Sequence, residues 1–165
     1  MSTFDLLLVP AASQYRKYNK IIHSLSKKYD TPSFPHITIL NMLEADEKDL
    51  VAKVKKIARY FKQIEVAISG INFSNTHNQC VFAQIKMSPL LSALYEELKI
   101  DLQYSDKSPF FPHMSLVYGK LSREEKLDIA SHIELDHKLL LDKLAIYRYG
   151  PLKSDWKPVA KFELN

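Results

Sequence analysis

Phe-Pro-His-Ile-Thr at residues 34–38 returns as Phe-Pro-His-Met-Ser at residues 111–115, with the histidines 77 residues apart. The echo runs beyond the motif. "YDTPSFPHITILNMLEADEK", from Tyr29, lays over "YSDKSPFFPHMSLVYGKLSREEK", from Tyr104. In each copy a leucine follows the histidine segment, and an acidic helix start closes on Glu-Lys, at Leu43 to Lys48 and Leu121 to Lys126. An internal duplication constrains the fold strongly, because one half-unit must fold twice and the two copies must pack together. A duplicated α+β unit can set two sheets side by side, with equivalent strands on either side of a cleft.

The local patterns agree. Residues 4–9, "FDLLLV", are an apolar run ended by Pro10, which predicts a buried strand. Ser13 is positioned to cap a helix over 14–29, with Tyr18, Ile21, Ile22, Leu25 and Tyr29 at helical spacing. A strand at 36–40 and a helix at 44–61 follow, the helix with acidic residues at its start. Residues 64–73 and 79–86 predict strands joined by the turn 74–78. Pro89 opens a helix carrying Leu90, Leu91, Leu94 and Leu98. A loop at 104–109 precedes a strand at 113–118. Ser122 and Glu125 then form a capping box for a helix to about His132. Two strands, 139–149 and 156–164, close a single domain expected to span 1–165.

Composition narrows the function. Apolar residues make up 46% of the 165-residue chain, enough for a real core. The only cysteine, Cys80, lies in an apolar strand and reads as a packed thiol, so neither an internal disulfide nor a cysteine metal cluster is expected. Three glycines (Gly70, Gly119 and Gly150) are too few for a glycine-rich phosphate loop. A net charge of +4 mildly favours an anionic partner. The N-terminus lacks a basic segment ahead of its short apolar run, and no stretch is long enough for a membrane span. A cytoplasmic protein without membrane association is the expectation.

The chemistry lies in the repeated motif. Alternate residues of a strand share a face, so His36 groups with Thr38 and His113 with Ser115, while Ile37, Ile39, Met114 and Leu116 turn to the core. An approximate two-fold relation would bring the two pairs together around one cavity. Two imidazoles can there act as base and acid near neutral pH, and two hydroxyls can stabilise an oxyanion. A phosphodiester requires these parts, and two histidines without a nearby carboxylate or cysteine make a poor metal site. No metal and no cofactor are expected. His23, His77, His132 and His137 lack this frame and read as surface residues.

The paired His-x-Thr and His-x-Ser motifs resemble the 2H phosphoesterase superfamily, most closely its cyclic phosphodiesterase branch of plants and fungi. The likeness takes in "LLLVP", "TPSFPHITI", "QCVFAQI", "PFFPHMSLVYG" and "WKPVAKFEL". It implies two pseudo-symmetric lobes around a central cleft, each with an antiparallel sheet flanked by helices. It assigns catalysis to His36, Thr38, His113 and Ser115, and substrate contacts to Thr38, Ser115 and Tyr118. By the same analogy His113 activates water and His36 protonates the leaving oxygen. The implied reactions open ADP-ribose 1″,2″-cyclic phosphate to ADP-ribose 1″-phosphate, and nucleoside 2′,3′-cyclic phosphates to 2′-phosphates. The expected partner is a small cyclic-phosphate nucleotide, or an RNA end, bound by a monomer. The alternatives are an RNA-processing relative (2′-5′ ligase-like or an RNA-end nuclease) and a non-catalytic nucleotide- or RNA-binding module. Leu7 and Asn78 stand where the family pattern suggests aromatic side chains. Tyr118 breaks the strand parity of His113 and Ser115, so a local twist near Gly119 is needed to bring it to the site.

Overall fold

Pro10 ends the first strand and the chain turns at once into a helix. In the computed structural model, which describes residues 1–106 and 108–165, β1 (Ser2–Pro10) is followed by α1 (Ala12–Leu25), β2 (Ile37–Ala45), α2 (Glu47–Ala58) and β3 (Ile64–Phe73). The second half repeats this order with β4 (Val81–Ile85), α3 (Pro89–Asp101), β5 (His113–Val117), α4 (Arg123–Ser131) and β6 (Lys138–Arg148). β7 (Lys157–Glu163) is additional. Lys107, in the loop expected at 104–109, lies outside the described residues. Among the described residues, no helix is long and apolar enough to cross a membrane.

All strand pairs are antiparallel, in the order β2-β1-β6-β3-β4-β5, with β7 paired to β6. Exchange β1 with β4, β2 with β5 and β3 with β6, and this order reads the same from the other end. The duplication in the sequence is thus a duplication in topology, with β7 outside it. β3 links the halves. Its Ile64–Ala67 segment pairs with β6, and Ile68–Phe73 pairs with β4. The register shifts between Ile68 and Gly70, and Gly70 has φ +140°, an angle that L side chains rarely adopt.

β1 does not alternate because both its faces are covered. Phe4, Leu6 and Leu8 join the main core with Ile37, Ile39 and the helices. Leu7 and Val9 pack with Ala145 on the opposite face, beneath Tyr15, Phe34, Tyr147 and Trp156. α2 buries Leu50, Val54, Ile57 and Ala58, and α3 buries Leu91, Leu94, Tyr95 and Leu98. Asp46 and Ser88 cap these helices through the Asp49 and Leu91 N–H groups, and the capping box of Ser122 with Glu125 is present.

Three local expectations change. Ser13 does not cap α1 but lies within its first turn. The Ala11 N–H is taken by the Leu140 carbonyl and the Ala11 carbonyl accepts from Tyr15 N–H, both at 2.8 Å, so the helix starts directly after β1. α1 stops at Leu25 rather than at 29, and Lys28 and Tyr29 bond back to the Leu25 carbonyl in a turn. β2 begins after His36 and runs on to Ala45, because β1 supplies partners as far as Ser2 opposite Ala45. A bulge at Met42 (φ 54°) interrupts that pairing, and the Asp5 carboxylate accepts from the Met42 N–H at 2.9 Å.

Candidate active site

Each histidine follows a proline, which supplies no N–H and biases the residue before it toward extended backbone. The result is the same bond twice. The Nδ1 of His36 lies 2.8 Å from the Phe34 carbonyl, and the Nδ1 of His113 lies 2.8 Å from the Phe111 carbonyl. A carbonyl only accepts, so Nδ1 carries the proton in both rings. Nε2 is left with a free lone pair in the neutral imidazole. β2 and β5 lie against one another, and a charge on His113 is felt at His36. The packing of β2 against β5 therefore brings the two motif segments together.

Their surroundings differ. His36 is only 8% exposed, with Phe34 and Trp156 at 5.0 and 5.3 Å between ring centroids. Burial lowers its pKa to about 4, outweighing the Phe34 hydrogen bond, and a charged His113 lowers it further. His113 is more open, beside Phe82 at 5.4 Å and Phe111 at 5.7 Å. Burial lowers its pKa too, against the bond to Phe111. Burial thus opposes the charge on both rings and encloses His36 the more fully.

The hydroxyls also part company. Thr38 pairs with Leu7 across β1 and β2, as Ser115 pairs with Phe82 across β4 and β5. Thr38 is half-buried, and its Oγ1 has no hydrogen-bond partner among the described residues yet keeps some contact with solvent. Ser115 is 7% exposed, and its Oγ donates to the Asn78 carbonyl at 2.6 Å. Strand parity put both hydroxyls beside their histidines. It carried no information about this loop carbonyl.

β5 ends at Val117, one residue short of Tyr118. The Tyr118 N–H crosses to the Asp30 carbonyl at 2.8 Å, and Gly119 takes φ +119°. The expected break in the strand is there. The Tyr118 ring stacks on His77 at 5.9 Å, and burial, with the Asp30 and Asp5 carboxylates adding, pushes its hydroxyl up to about 12. Asp30 lies 3.7 Å from His77 Nε2 and 3.4 Å from Lys153 Nζ, while Lys153 also donates to the Thr31 carbonyl at 2.5 Å. Asn41, which stands five residues after His36 as Tyr118 stands five after His113, bonds differently: its side-chain oxygen accepts from the Tyr104 hydroxyl at 2.8 Å.

His77 is exposed, as expected of a surface residue, yet it forms part of this rim. Asp30 and Lys153 carried no local signal for these contacts, and Trp156, expected as the start of the last strand, lies instead just before it and against His36. Leu7 is fully buried, and rings from elsewhere in the chain cover it. Trp156 Nε1 donates to Asp5 at 3.1 Å. Burial raises the Asp5 pKa, against the bonds from Met42 and Trp156. Asn78 contributes its backbone. Cys80 is buried and unpaired, as a packed thiol should be.

A family model described as the 2′-5′ RNA ligase superfamily matches residues 8–151. A Staphylococcus haemolyticus protein that is a phosphoesterase by name is 28% identical over 96% of this chain and 97% of its own. A Staphylococcus epidermidis protein named in the same way is 26% identical over 97% of this chain and 98% of its own. Among solved structures, a Thermus thermophilus protein superposes with a TM-score of 0.70 at 15% identity, over 98% of this chain and 97% of that one. E. coli LigT complexed with 3′-AMP superposes at 0.68 and 12% identity, over 99% and 98%. These two share the fold. The family match spans both histidine motifs, and with it the chain belongs to the 2′-5′ RNA ligase superfamily, the 2H phosphoesterase grouping that its paired motifs resemble.

Proposed function

We propose that this chain hydrolyses cyclic phosphates without a metal, converting nucleoside 2′,3′-cyclic phosphates to 2′-phosphates and ADP-ribose 1″,2″-cyclic phosphate to ADP-ribose 1″-phosphate. The observation that carries the reading is the pair of imidazoles at the adjoining β2 and β5, each with its tautomer set by the same backbone bond and a free Nε2. In hydrolysis, a water oxygen bonds to phosphorus as one Nε2 takes its proton. The P–O3′ bond breaks, and O3′ takes a proton from the other imidazolium. The phosphate stays on O2′.

The resting electrostatics support His36 as base and His113 as acid, the reverse of the assignment the resemblance suggests. A base must be unprotonated, and His36 remains so down to about pH 4. An acid must be protonated, and His113 is the more open of the two rings, where burial opposes the charge less completely. Phosphorus NMR after turnover of 2′,3′-cyclic AMP in a chelating buffer tests the reaction. The 2′-phosphate should be the sole product. A 3′-phosphate, or activity recovered only with an added divalent ion, overturns the reading.

The hydroxyls should fail differently when removed. Thr38→Ala loses a contact that strengthens as charge builds on the phosphoryl oxygens, so kcat should fall more than KM rises, with Tm unchanged. Ser115→Ala removes the 2.6 Å bond to the Asn78 carbonyl, worth roughly 0.5–1.5 kcal/mol, so it should lower Tm as well as kcat. Equal Tm values for the two variants would mean that the Ser115–Asn78 bond contributes nothing.

A further inference from the structure

We infer that Lys126 is a positioning residue for the candidate site: it clamps the loop between β3 and β4, and that loop sets Ser115 and Tyr118. The inference rests on the phosphodiesterase reading only for its kinetic consequence.

Lys126 is a charged side chain with 6% exposure. Taking an ammonium out of water is costly unless oxygen atoms replace its hydration. Among the described residues no carboxylate pairs with it. Its Nζ instead donates to the Ser74 carbonyl at 2.8 Å and to Asn75 Oδ1 at 3.4 Å. Both acceptors belong to the loop of residues 74–79. The lysine lies one turn before Ile129, which packs with Cys80, Val81 and Val117, so α4 anchors it against β4 and β5.

The loop transmits the constraint. Ser74 Oγ donates to the Gln79 carbonyl at 2.7 Å and accepts from Thr76 N–H at 3.1 Å, which closes the loop on itself. The Asn78 carbonyl accepts from Ser115, and the His77 carbonyl accepts from Gly119 N–H at 2.9 Å. The His77 ring lies on Tyr118. Lys126 therefore holds the root of a loop whose far end holds the second motif. The repeat supplies a comparison within the chain. Four residues after its cap, α2 buries Leu50 where α4 buries Lys126, so an apolar side chain suffices at this position in the first copy. A lysine needed only to fill space under α4 could be a methionine, with no desolvation cost.

The test combines Lys126→Met with Ser115→Ala and reads two signals. Without substrate, amide exchange at 74–79 should quicken in Lys126→Met while β1 and β6 keep their protection. With 2′,3′-cyclic AMP, kcat should fall roughly 10- to 100-fold with KM within about twofold, as expected for a misplaced active-site group. That loss should shrink in the Ser115→Ala background, because the lysine acts in part through the serine. Ser74→Ala, which opens the loop without touching the buried charge, should reproduce both signals and serves if Lys126→Met does not fold. Unchanged exchange at 74–79, or an equal kinetic loss with and without Ser115, overturns the proposal. Absence of wild-type turnover would instead reject the phosphodiesterase reading, and the exchange signal would still decide the role of Lys126.

Discussion

Replacing His36 or His113 by alanine should each lower turnover of 2′,3′-cyclic AMP by roughly 100- to 10,000-fold, the range for loss of a general acid or base. The double variant should be little worse than either single one, because the two groups move protons in one step. The pH dependence follows from the same site. In the free protein both imidazoles titrate below the ordinary histidine value of 6.5, with His36 at about 4. The productive form holds one proton between them, so kcat/KM should follow a bell whose optimum lies on the acid side of pH 6.5. The bound phosphate anion favours the charged imidazole, so the kcat profile should move to higher pH. Because the rings interact, the two limbs belong to the pair rather than to either residue. A flat kcat/KM between pH 4 and 8, or alanine variants with near-normal turnover, would remove the histidines from the reaction.

Stability should fall as the pH drops from about 6.5 to 4, and part of that fall should disappear in His36→Gln. The folded state holds the His36 pKa at about 4, below its unfolded value of 6.5. Between these values the unfolded chain binds the proton and the folded chain does not. Native stability from this group is complete above pH 6.5 and declines as the pH falls through the folded pKa. A shift of this size corresponds to about 3 kcal/mol at full extent. Denaturant melts at pH 7 and pH 4 measure it. The pH-dependent loss should be smaller in His36→Gln, whose amide does not titrate and can still donate to the Phe34 carbonyl. The carboxylates, Asp5 included, remain in both proteins, so the difference isolates the histidine. Identical losses would mean that His36 is solvated and not caged by Phe34 and Trp156.

Much of this was legible in the amino-acid order. The offset repeat determined the palindromic strand order, since two copies of one unit pair their strands alike. Period-two alternation turned Ile37, Ile39, Met114 and Leu116 to the inside, which left His36, Thr38, His113 and Ser115 together on the other face. Pro89 marked the start of α3 and the Ser122–Glu125 capping box the start of α4, because both signals act within one turn of chain. What stayed hidden depends on segments distant in sequence. Ser13 lost its capping role to a carbonyl at Leu140, and β2 gained its last residues from the start of β1. Near-identical motifs made the two histidines look alike. Tertiary packing alone made them unlike, by placing Trp156 against His36 and leaving His113 more open. Packing likewise buried Lys126, although the sequence overlay matched it to Lys48, which stayed exposed because its helix starts two residues later in the repeat. Desolvation, not residue type, sets the pKa of an imidazole and the partners an ammonium must find, and it is decided only when the chain has folded.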